Sequence, residues 1–238
     1  MGCNMFATSG ATPKLESGIG GASDPMKLHI ASLMILCLAA VPVSAQILYE
    51  NGPINGNTDA WPFNYNSPYV VSDTFLLSSN STVGGFEFGV WEFPGDTLTS
   101  VGWSITSMEN GGTVYGSGTV SGKNLVDTFL SINSYGYNID EITATGLNVN
   151  LTSGTTYWLN LGQGQNSSGN PVYWDENSGI GCKSNGCPSQ ASEVDIGTVP
   201  SESFTITGVS GTTPEPNSVL LFGSGILGLA GMLRRKLF

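Results

Sequence analysis

From Gln46 to Ser210 apolar and polar residues alternate, and a period of two marks strands with one buried face. Val101-Gly102-Trp103-Ser104-Ile105 and Leu147-Asn148-Val149-Asn150-Leu151 carry the pattern most plainly. Further runs predict strands over Val70 to Leu77, Val83 to Trp91, Thr113 to Val120, Val126 to Ile132, Tyr157 to Leu161, Val172 to Trp174, Val194 to Val199 and Phe204 to Val209. Gly and Asn clusters punctuate them, as at Asn110-Gly111-Gly112, Ser153-Gly154 and Gln165 to Pro171. Short strands at this spacing, with no helical crossover pattern between them, predict an all-β chain folded as a single antiparallel β-sandwich, jelly-roll-like.

Both ends break the alternation. Met26-Lys27-Leu28-His29, the apolar run Ile30 to Val41 and the small residues Val43-Ser44-Ala45 form the three parts of a secretory signal peptide over 26–45, with cleavage expected between Ala45 and Gln46. Residues 1–25 show neither periodicity nor charge logic, and read as an over-extended start or a disordered arm. At the other end Ser218 to Leu233 is apolar around the whole helical circumference, which predicts a membrane helix over 218–233. At 1.5 Å per residue it reaches about 24 Å, and snorkelling with local thinning covers the shortfall against a bilayer core of about 30 Å. Arg234-Arg235-Lys236 follows at once and holds that end on the cytoplasmic side. Lys27 does the same for the start, so the acidic middle is expected across the membrane.

Pro214-Glu215-Pro216, the Gly-rich apolar run Leu221 to Gly231 and the basic cluster Arg234-Arg235-Lys236 occur in that order, and residues 213 to 238 thereby resemble the PEP-CTERM sorting signal of Gram-negative bacteria. The resemblance implies recognition by exosortase, a membrane-embedded cysteine protease, with a cut near the triplet and passage to the cell surface or extracellular matrix. It also implies a link to exopolysaccharide and biofilm. Thr213 stands where the family often has Val. The two prolines bar helix and strand and keep the segment extended. The stretch Leu147 to Leu161 also resembles the late hairpin of exported bacterial β-sandwich domains carrying this tail.

Charge narrows the partners. Between residues 46 and 213 only Lys123 and Lys183 stand against fifteen carboxylates, 2 minus 15, a net of −13. Such a segment repels phosphate polyanions, which excludes nucleic acid. Cys3 and Cys37 belong to the leader, leaving Cys182 and Cys187 to close a small disulfide loop in an oxidising compartment. A zinc site would need more partners than the segment contains.

The one histidine, His29, lies in the signal peptide. The folded segment therefore has no imidazole for a Ser-His-Asp or Cys-His nucleophile, and a non-catalytic protein is expected. Carboxylate-only glycoside hydrolysis passes this filter, but Glu87 with Glu92 and Asp175 with Glu176 are spaced to face opposite sides of a strand. Five tryptophans suggest sugar stacking. Trp103 shares a face with Val101 and Ile105 and belongs to the core, whereas Trp91 and Trp158 fall on outward positions and are the glycan candidates. Asp59 and Asp175, in loops rich in oxygen donors, are the candidates for structural calcium, and no other cofactor is expected.

The chain is thus expected to comprise an arm over 1–25, a signal peptide over 26–45, a β-sandwich over 46–213 and a sorting tail over 214–238. It is expected at the cell surface or in the matrix in a structural, adhesive or glycan-binding role. The alternatives are a polysaccharide-acting hydrolase or lyase and a permanently membrane-anchored surface protein.

Overall fold

The alternation resolves into thirteen strands. The computed structural model describes residues 45–64, 69–186 and 189–210. In chain order the strands are β1 (Gln46–Glu50), β2 (Asp59–Pro62), β3 (Val70–Leu76), β4 (Ser81–Glu92), β5 (Leu98–Met108), β6 (Gly111–Ser121), β7 (Leu125–Ile132), β8 (Asn138–Leu151), β9 (Thr156–Asn166), β10 (Tyr173–Glu176), β11 (Ala191–Glu193), β12 (Gly197–Val199) and β13 (Phe204–Ser210). Among the described residues there is no α-helix, and the one helical turn is a 3-10 turn at Gly122–Asn124.

Two antiparallel sheets face each other. The first is built on β4, whose whole length pairs with β8, from Ser81 opposite Leu151 to Glu92 opposite Asn138. Its other edge is shared, with β13 covering Ser81 to Phe88 and β10 taking Val90 and Trp91. Outside these lie β1 against β13, β2 against β10 and β7 against β8. The second sheet runs β12-β11-β3-β9-β5-β6.

Period-two side chains from the two inner faces interdigitate. Phe86, Phe88 and Val90 of β4, Ile142 and Ala144 of β8, Val101 and Ile105 of β5, and Tyr157, Leu159 and Leu161 of β9 are all buried in one cluster. Aromatic pairs bridge strands, among them Phe75 with Tyr157 at 5.6 Å and Phe88 edge-on to Trp174 at 6.0 Å. Trp103 is half-buried and packs against this cluster from β5.

The architecture is the expected sandwich, with three differences in its elements. β1 and β2 are additional strands, too short for periodicity to mark. The expected strand Val194 to Val199 is a hairpin instead. Its turn closes because Glu193 Oε2 accepts the amides of Asp195 and Ile196 at 3.0 and 2.9 Å, and Gly197 adopts φ +91°. The run Leu147 to Leu151 is only the end of β8, which continues back to Asn138 through Gly146 at φ +87°, where the register against β4 shifts. The arm 1–25, the sorting tail 214–238 with its membrane helix, and all of the signal peptide except Ala45 lie outside the described residues. Ala45 is exposed, and β1 begins at Gln46.

Candidate functional site

The turn between β7 and β8 builds the most open aromatic feature. Asn133 Oδ1 accepts the amides of Tyr135 and Tyr137, both at 3.0 Å, and Gly136 takes φ +87° to reverse the chain. This turn lays Tyr135 over Trp91 with ring centroids 5.8 Å apart and planes at 25°, and brings Tyr137 to 5.9 Å from Trp91. Tyr173 of β10, cross-strand partner of Trp91, meets Tyr137 edge-on at 5.9 Å. With Thr58 and Asp59 these rings line a cleft of about 370 Å³, within the range of small-ligand sites. Burial and the neighbouring Tyr137 raise the Tyr173 phenol above its ordinary value.

The two tryptophan candidates do not share a surface. Trp91 takes the outer face of the first sheet, yet it is only 6% exposed, because the turn folds Tyr135 and Tyr137 over it. Its indole Nε1 donates to Asp175 Oδ1 at 2.7 Å. Trp158 lies half-buried on the outer face of the second sheet, between Thr74 and Thr106. The exposed ring is Tyr135, at 65%. Two tyrosines flanking a glycine in a polar turn were the sequence signal for it, and strand periodicity does not weigh turn residues.

The calcium candidates separate as well. Asp59 is exposed at the cleft and accepts the amide of Ala60 at 2.9 Å. Asp175 is fully buried, and besides Trp91 it accepts the amides of Asn55 and Gly56, each at 2.9 Å. Those donors fasten the loop before β2 onto the sheet and partly offset the burial that raises its carboxyl.

Other carboxylates group across strands. Glu87 and Glu92 lie on opposite faces of β4, as their odd spacing implies. Glu87 instead shares the outer face with Glu141 of β8, and both line a cleft of about 300 Å³; burial and then Glu141 raise the Glu87 carboxyl. Asp175 and Glu176 diverge too, Glu176 accepting from Trp61 Nε1 at 3.0 Å and Ser178 Oγ at 2.9 Å. On the inner face, Glu92, Asp127 and Asp140 each bring a carboxylate oxygen within 4.8 Å of the others, an all-oxygen set of the kind that holds a hard cation. Burial, then Asp127, Asp140 and Asp96, push Glu92 upward; burial and Asp127 lift Asp140 to about 6. A second inward acid, Asp73 of β3, is raised to about 7 by burial, and Glu202 beside it is raised for the same reason with Asp73 adding to it.

Cys182 is disulfide-bonded, while Cys187 lies outside the described residues. So do Pro214, Glu215, Pro216, Arg234, Arg235 and Lys236.

The described residues form a β-sandwich, and an apolar, base-terminated stretch follows it in the sequence. A family model described as the PEP-CTERM protein-sorting motif matches residues 212–236, and the chain carries that motif. The motif marks it as an exported protein processed by exosortase in the membrane, with a membrane-associated C-terminal tail before sorting. No curated protein matches the chain at a significant level.

Proposed function

We propose that exosortase cuts this chain near Pro214 to Pro216 and passes the sandwich to the cell surface or matrix, where it acts without catalysis as an adhesive, glycan-binding module. The observation carrying the glycan reading is Tyr135, largely exposed but held flat on a buried Trp91. An aromatic face ordered in advance loses little entropy on binding, and the apolar side of a sugar ring is its natural complement. Asp59 at the rim offers a carboxylate to sugar hydroxyls.

Retention on the polysaccharide of the producing cell tests this. Two ring contacts at about 0.5–1.5 kcal/mol each put the loss in the double variant Tyr135→Ala/Tyr173→Ala at about tenfold. Trp158→Ala, on the other sheet, is expected to bind like wild type. Equal retention of wild type and double variant refutes the cleft.

A hydrolase is the second reading, and the cross-strand pair Glu87 and Glu141 beside a cleft favours it over either local pair. Release of reducing sugar that disappears in Glu87→Gln would establish it and displace the non-catalytic role. Permanent anchoring is the third reading, and intact mass of the surface-extracted protein distinguishes it, since a retained tail keeps residues 214–238.

A further inference from the structure

Inner-face alternation along β4 places Phe86, Phe88 and Val90 in the core, and the next residue on that face is Glu92. It is 0% exposed, and neither carboxylate oxygen meets an N–H or hydroxyl donor, its polar neighbour in hydrogen-bond reach being the Asp127 carboxyl. Asp140 sits opposite Val90 on β8, is 2% exposed, and its Oδ1 is likewise buried and unpartnered. Asp127, opposite Ile142 on β7, is half-buried and accepts the amide of Leu98 with Oδ2 at 2.7 Å. One oxygen from each of the three lies within 4.8 Å of the others.

No side-chain cation in the domain answers these charges. Lys183 binds Glu50 at 2.9 Å, and Lys123 is exposed on the 3-10 turn. Asn166 and Asn170 are spent on a further buried acid, Asp96, at 3.0 and 2.8 Å, and Asn138, opposite Glu92, makes no hydrogen bond to the three carboxylates. An uncompensated buried carboxylate costs several kcal/mol, and three at this spacing do not ionise together without a counter-charge. The counter-charge is either protons or a metal ion. Carboxylate oxygen without nitrogen or sulfur selects a hard cation. Three oxygens within 4.8 Å of one another can all reach a single ion, and calcium accepts carboxylates in irregular arrangements, whereas magnesium demands near-ideal octahedral geometry and keeps its water.

We infer that Glu92, Asp127 and Asp140 form a calcium site at the end of the sandwich core, entered from the half-buried Asp127 side. The ion joins β4, β7 and β8, and through the Leu98 amide reaches β5 of the opposite sheet. It lies at the base of the β7–β8 hairpin, whose turn carries Tyr135 and Tyr137. An exported protein meets calcium at about millimolar levels, where extracellular sites of this kind operate.

Equilibrium dialysis of calcium against the purified full-length protein, stripped beforehand with EGTA, tests the site. One ion per chain, bound with Kd below about 1 mM, is expected. Glu92→Gln and Asp140→Asn each weaken it at least about tenfold, the loss of a charged ligand. Asp59→Asn, at the exposed start of β2, leaves it unchanged. Melting temperature gives an independent readout. Calcium raises it in wild type and in Asp59→Asn, while in EGTA the Glu92→Gln protein melts at or above wild type, because one buried charge is gone. Should Glu92→Gln fail to fold, the wild-type stoichiometry and Asp140→Asn still decide. Absence of bound calcium at a few millimolar, affinity unchanged in both carboxylate variants, or binding of magnesium in its place overturns the assignment.

Discussion

Asp73 offers a test of how the sandwich tolerates acids in its core. The residue stands on the inner face of β3 between Val71 and Phe75 and is fully buried. Its Oδ2 accepts from Asn51 Nδ2 at 3.1 Å and from the Glu202 amide at 2.8 Å, while Oδ1 has no hydrogen-bond partner. Burial lifts its carboxyl from 3.8 to about 7. Over that interval the folded protein keeps a proton that the unfolded chain releases. This contribution to stability is therefore complete below pH about 4 and drains away as pH climbs through about 7. Three units at about 1.4 kcal/mol each bound the loss at about 4 kcal/mol, and relaxation around the charge lowers it to about 2. Asp73→Asn keeps an acceptor for Asn51 and Glu202 and does not ionise. Urea unfolding at pH 4, 6 and 8, with the other carboxylates common to both proteins, should match the two at pH 4. At pH 8 the variant should be about 2 kcal/mol more stable. Identical pH slopes, or a less stable variant at pH 8, would refute the reasoning.

Asn160 ties the outer face of the second sheet, accepting from Ser72 Oγ and the Asn110 amide and donating to Thr106 Oγ1 at 2.8 Å. Asn160→Ala leaves the buried Ser72 hydroxyl without its acceptor and removes the bond to Thr106, and should cost about 2–3 kcal/mol in chemical denaturation. Gly85 has no room for a side chain, because an added Cβ runs into the Ala144 carbonyl of β8. Gly85→Ala should therefore lower the melting temperature by at least about 5 °C. Phe88→Ala, emptying a fully buried site, should lose about 3–5 kcal/mol by the same denaturation assay. Intact mass of the processed protein should begin at Gln46 and increase by the mass of two hydrogens on reduction of the Cys182 disulfide.

Periodicity made the long strands legible, because β4, β5 and β9 each expose one face to the core over many residues. It missed β1 and β2, whose few residues complete no convincing alternation. It misread 194–199, where Val194, Ile196 and Val199 alternate well but Glu193 folds the chain into a turn. The sites were harder still. Trp91 falls on an outer face with Glu87, yet it is covered, and what covers it comes from a turn more than forty residues away that only the pairing of β8 with β4 brings to it. Glu92 and Asp73 occupy positions that strand period reserves for apolar residues. Within one strand such an acid reads as a break in the pattern, and its meaning appears only when neighbouring strands bring Asp127 and Asp140, or Asn51 and Glu202, to meet it.

The pairing of β1 with β13 sets Gln46 opposite Gly208, so the chain enters and leaves the sandwich at the same pole. Ser210 pairs with Ser81, and ten residues further along β4 comes Trp91, roughly 33 Å away at about 3.3 Å per residue. The ringed hollow of Trp91, Tyr135 and Tyr173 therefore opens at the pole opposite the one where the strand-forming chain begins and ends. A cut near Pro214 to Pro216 is thus expected to leave that pole untouched, and polysaccharide retention measured with and without residues 214–238 should agree.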